Sequence, residues 1–167
     1  VSNTLLILKV FIKGKKMNIR HLITVVIFLL AISCSKSPAE LFGLAEQELK
    51  QDNSNLAINS LKLLISKHPN DSLASKAQYK LASVYLNWED EISLGLEALK
   101  NTVSDYPKTI HAKQAQKEID RFPQFLLDKG ESLRKQKKLK ESVDHLMFLT
   151  KNYSNTEIAP KGQYMLG

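Results

Sequence analysis

The chain has one cysteine, Cys34, so a disulfide framework within it is excluded. A zinc site built mainly from thiolates is excluded by the same count. Six glycines and five prolines are too few for a collagen-like or proline-rich chain. The four histidines, His21, His68, His111 and His145, stand alone, and none forms HxxxH or HExxH. There is no GxSxG, P-loop or GxGxxG. No apolar run approaches the ~20 residues of a membrane-spanning helix. Asp and Glu are missing altogether from residues 1–33.

That last absence explains the charge. The 167-residue chain carries a formal +7, which taken whole would suggest an anionic partner such as nucleic acid. Five of its 24 basic residues (Lys9, Lys13, Lys15, Lys16 and Arg20) precede Cys34. The remaining 19 stand against 17 acidic ones, a net of +2. The positive charge belongs mostly to an N-terminal segment ahead of the apolar run Leu22–Ile32. That run has the length of a secretory h-region, with Met17–His21 as its positive n-region. Residues 1–16 lie upstream of this natural start and read as over-called translation, the alternative being an extended n-region.

The run ends in Ala31-Ile32-Ser33 and then Cys34. This resembles the lipobox of bacterial lipoproteins, although Ala31 stands where leucine is common and Leu30 lies one residue further back. The resemblance implies that residues 17–33 are a lipoprotein signal, that Cys34 is the lipid attachment site and that residues 34–39 are a linker. Ser35 after the cysteine implies the outer membrane, facing the periplasm. Several acyl chains on one cysteine would hold the protein durably, at ~0.8 kcal/mol per buried methylene.

From Ala39 onward apolar residues recur at helical spacing, and no stretch alternates as a strand would. The fold class is therefore all-α. The chain also repeats itself. His68-Pro69 followed by Ala74, Ala77, Gln78 and Leu81 returns as Tyr106-Pro107 with Ala112, Ala115, Gln116 and Ile119. It returns again as Tyr153-Ser154 with Ala159, Gly162, Gln163 and Leu166, the two offsets being 38 and 47 residues.

These residues resemble the tetratricopeptide repeat, a 34-residue helix–turn–helix unit. Positions 8, 20, 24, 27 and 32 of the unit are Ala45, Ala57, Leu61, Leu64 and Pro69 in unit one. They are Ser83, Gly95, Leu99, Thr102 and Pro107 in unit two, and Gly130, Ser142, Leu146, Leu149 and Ser154 in unit three. The position-4 aromatic survives only as Tyr79. Thirteen residues separate units two and three, and 110–122 predicts an extra helix that stops or kinks at Pro123. Residues 40–167 would thus form three repeats and the start of a fourth, a short α-solenoid. The helix beginning near Ile158 lacks a following partner, so either the sequence continues beyond Gly167, as we expect, or this helix serves as a cap.

In this class the first helix of each unit lines a concave surface, so positions 5, 9, 12 and 13 give a candidate groove. Unit one offers Phe42, Glu46, Leu49 and Lys50. Unit two offers Lys80, Val84, Asn87 and Trp88, and unit three Leu127, Glu131, Arg134 and Lys135. Phe42, Trp88 and Arg134 are the expected anchors. The turns between helices alternate in sign: acidic at Glu89–Glu91, basic at Arg134–Lys140.

The combination of lipobox and loosely spaced repeats resembles the BamD family of outer-membrane assembly lipoproteins over Cys34–Gly167. An inserted helix also separates two of that family's repeats. The resemblance implies a lipid-anchored, non-enzymatic scaffold whose partners are β-barrel assembly subunits or peptide segments. No cofactor, small-molecule substrate or nucleic acid is expected. The alternative is a periplasmic repeat protein of the Tol–Pal-associated type, coordinating envelope or cell-wall processes. An enzymatic reading would need a metal at His111 or His145.

Overall fold

The computed structural model describes residues 36–167. The expected signal segment and Cys34 lie outside the described residues. Among the described residues there are eight helices and no strand. None is long and apolar enough to cross a membrane.

The first pair is α1 (Pro38–Lys50) and α2 (Ser54–Lys67). Helix α1 starts at Pro38, so it takes in the last two residues of the expected linker. The second pair is α3 (Ser72–Asn87) and α4 (Ile92–Asp105). The inserted helix is α5 (Ile110–Asp120). The third pair is α6 (Phe122–Lys135) and α7 (Leu139–Asn152), followed by α8 (Ala159–Leu166). Each helix packs on its successor in the chain, and α3 also meets α1 and α5.

The turns within the three units share one backbone solution. Asp52, Asp90 and Lys137, all at position 15, adopt φ of 56°, 56° and 64°. This left-handed residue lets the next amide turn back on the helix just ended. Asn53 N donates to Glu48 O at 2.9 Å and Lys138 N to Leu133 O at 3.0 Å, while in unit two Glu91 N reaches Tyr85 O at 2.9 Å. Aspartate tolerates this conformation better than lysine, whose Cβ crowds the following carbonyl. Lys137→Gly should therefore stabilise the protein by about 1 kcal/mol, read as a higher urea midpoint with unchanged slope.

The junctions between units are also alike. Helices α2, α4 and α7 are followed by the C-cap residues His68, Tyr106 and Tyr153. Pro69 and Pro107 follow two of them, where a missing N–H costs no helical bond. The next helix is then capped. The Asp71 carboxylate accepts from Leu73 N at 2.8 Å, and Thr109 Oγ1 accepts from Ala112 N at 3.1 Å. Each such cap is worth about 1 kcal/mol.

Small residues at positions 8 and 20 bring the paired helices together. Ala45 and Ala57 are wholly buried, and Leu61, Leu64, Leu99, Leu146 and Leu149 pack around these contacts in one core. Thr102 is as buried as the leucines, and its Oγ1 donates to Ala98 O at 2.8 Å. Ser142 Oγ donates to Gly130 O at 2.6 Å across α6 and α7. Among the described residues no buried side-chain N or O lacks a partner, as the cost of a buried unpaired polar group requires.

The insertion ends as its proline predicts, two residues before the expected limit. Arg121, at φ −96° and ψ 2°, closes α5 and opens α6, with Pro123 in the first turn of the new helix. Phe122 then enters the core, 1% exposed, with its ring centroid 5.4 Å from Phe125 and 6.4 Å from both Phe148 and Tyr153. Phe122, Phe148 and Tyr153 together fasten α6 to α7 and its C-terminal cap.

Candidate functional site

Helices α1 and α3 lie side by side, and the ends of both stand over a cleft of about 320 Å³. It is lined by Glu46, Leu49, Lys50, Lys80 and Trp88. All five are candidate groove residues drawn from two different units. Trp88 closes α3 and is 45% exposed, an unusual degree for so large an apolar ring. Glu46 and Lys50 are exposed and Lys80 half-buried, so the cleft offers an apolar wall between two cations and one anion. Such a site suits a peptide segment carrying an apolar side chain beside an acidic one.

Other members of the expected groove lie elsewhere. Phe42, Val84 and Leu127 are buried core residues and offer no contact surface, which corrects their assignment. Phe42 is 6% exposed and covered by Lys76, whose Nζ stands 4.5 Å from the ring centroid. Phe42 is core because the start of α3 overlies α1, whereas Lys80, at the same position of unit two, lines the cleft. Leu49 is mostly buried, with only an edge on the cleft. Glu131, Arg134 and Lys135 line neither this cleft nor the next, so the groove is not continuous across the three units. Glu131 binds Lys135 at 3.1 Å, and that hydrogen bond, with the lysine's charge, holds its carboxyl below the usual range.

The remaining candidate, Asn87, lines a second cleft of about 490 Å³ made by the inserted helix. Its floor is Leu86, Phe122 and Phe125, and Lys117 and Arg121 contribute cations. The Tyr79 hydroxyl donates to Glu118 of α5. Burial and then this carboxylate push the Tyr79 hydroxyl up to about 12. Sequence reasoning missed this cleft. Its one signal was the position-4 aromatic, kept only in the unit that the extra helix follows.

His111 and His145 have structural surroundings. His111 Nδ1 lies 3.1 Å from Ser75 Oγ, and burial, then the Lys76 charge, lower its pKa. His145 is 1% exposed, with Nδ1 donating to Glu141 O at 2.9 Å and Nε2 3.5 Å from Asp90. Among the described residues no three His, Cys, Asp or Glu side chains converge as metal ligands would.

A family model of the tetratricopeptide repeat matches residues 41–71, which span α1 from Leu41, all of α2 and the turn to Asp71. No curated protein matches the chain. The left-handed turn residue recurs in the two later units, and Gly130, Ser142, Leu146 and Leu149 repeat the packing of Ala45, Ala57, Leu61 and Leu64 in unit three; in unit two Thr102 replaces a leucine and Ser83 is only half-buried, on the second cleft. Residues 41–71 carry a tetratricopeptide repeat, and the described residues fold as an all-α tetratricopeptide-like solenoid, an architecture that serves as a scaffold for binding other proteins.

Proposed function

We propose that the protein is a lipid-anchored, periplasm-facing scaffold with a BamD-like role in outer-membrane β-barrel assembly. The observation that carries the binding role is the α1–α3 cleft, where a half-exposed Trp88 stands among Lys50, Lys80 and Glu46. Aromatic side chains in partly desolvated clefts dominate many protein interfaces. Neighbouring cations would select an acidic or C-terminal carboxylate group on the bound segment. The anchor rests on Cys34 following a short apolar run, and the assembly role on the sequence resemblance.

Cys34→Ser should move the protein from the membrane to the soluble fraction. Intact-mass measurement of the native protein should show acyl chains on Cys34, and an unmodified cysteine would remove the anchor from the account. Affinity capture after crosslinking should recover a barrel-assembly subunit. Recovery of only Tol–Pal or peptidoglycan components would replace the assembly role with envelope coordination.

A further inference from the structure

Helix α7 shows solvent a row of apolar side chains that the solenoid does not use. Leu139, Val143 and Met147 are 61%, 41% and 56% exposed. They follow one another by four residues and so share one face, over about 12 Å of helix. The outer face of a surface helix is ordinarily polar. At Met147 the row opens into a cleft of about 520 Å³ between α7 and the first turn of α4. Ile92 and Phe148 supply its apolar wall. Asp90, Glu91 and Asp144 line it against the single cation Lys151. His145 Nε2 faces Asp90 and ties the two sides together.

We propose that this face is a second docking site, distinct from the α1–α3 cleft, for an amphipathic helix of another protein. That helix would carry aliphatic residues one turn apart and a lysine or arginine at one end. A row spaced i, i+4, i+8 is the complement of a helix laid alongside it. Three carboxylates against one ammonium make the cleft electronegative, and a guanidinium or ammonium entering beside Met147 would find both charge and apolar wall. A second copy of this chain fits less well. Two-fold pairing about Val143 would set Asp144 beside its own copy and crowd like charges in the interface.

The test uses the full chain and labelled alanine-based peptides of about 18 residues, long enough to hold a helix. One bears leucines spaced by four and a lysine–arginine end. A twin has glutamates at that end, and another has serines for the leucines. In fluorescence anisotropy the first peptide binds, and each twin binds at least about tenfold more weakly. Met147→Lys and Asp144→Lys each weaken the first peptide by about tenfold, with circular dichroism unchanged, whereas Trp88→Ala leaves it bound. Should Met147→Lys fail to fold, Val143→Lys is the equivalent variant. Absence of binding, equal binding of the acidic twin, or indifference to the α7 variants overturns the proposal. So does a dimer in sedimentation that Met147→Lys dissociates.

Discussion

Gly130→Val will destabilise the protein by about 3 kcal/mol, the upper end of what overpacking a filled core costs. A Cβ at Gly130 would lie 2.9 Å from both Cγ and Cδ2 of Leu146, closer than carbon atoms pack. Leu146 is 1% exposed and has no free side to turn toward. The Ser142 carbonyl oxygen, 3.5 Å from the same point, is backbone and blocks the branch methyls. The variant therefore has to part α6 from α7, and with them the Ser142–Gly130 hydrogen bond. Gly43 supplies the contrast. It lies within exposed α1 surface, with nothing within 4 Å of its would-be Cβ. Gly43→Ala should stabilise the chain by about 1 kcal/mol through helix propensity alone. At Gly95 a Cβ would strike Cγ and Cδ2 of Leu86 more closely still, and Leu86 is itself buried. Chemical denaturation of Gly130→Val and Gly43→Ala measures the contrast.

The second large effect is on binding. Trp88→Ala should weaken partner capture by about 30-fold or more, as truncation of an interface tryptophan commonly costs 2 kcal/mol or above. The fold should survive, because Trp88 ends α3 and is 45% exposed. Lys50→Glu combined with Lys80→Glu should weaken capture of an acidic segment comparably, and more at low salt than at high salt. A surface plasmon resonance titration against the captured partner separates the two contributions. Loss through Trp88 alone would mark an apolar anchor, and loss through the lysines alone a charge-steered contact.

The close-packing positions were legible from the sequence because they answer to a local rule. Two helices joined by a short turn can approach only where both are small, so Ala45, Ala57, Gly130 and Ser142 announce the pairs. Leu61, Leu64, Leu146 and Leu149 follow at helical spacing into the core they enclose. The kink at Arg121 was legible because Pro123 cannot donate to the preceding turn.

The groove was legible only where two successive units stack regularly. Glu46, Leu49, Lys50, Lys80 and Trp88 converge as positions 9, 12 and 13 of unit one and 5 and 13 of unit two should. Phe42, Val84 and Leu127 do not, because whether such a position faces a groove or a neighbour depends on how far the adjacent helix overlies it. Helix α3 begins at Ser72, four residues before its unit's first position, and Lys76 covers Phe42. The α3–α5–α6 cleft was hidden for a related reason. It joins Tyr79 to Glu118, 39 residues apart, across a helix that the repeat pattern does not contain. His145 shows the same limit. Its spacing suggested an isolated histidine, and only packing brings Asp90 to its Nε2.

The proposed scaffold role requires the α1–α3 cleft to hold a segment of another protein. Photo-crosslinking in living cells from an ultraviolet-reactive residue at position 88 reads this directly. The proposed role predicts an ultraviolet-dependent adduct with a β-barrel assembly subunit, lost when Lys50 and Lys80 are changed to glutamate in a protein whose abundance and fractionation are unchanged. No adduct from position 88, or an adduct that the two substitutions leave unchanged, would contradict it.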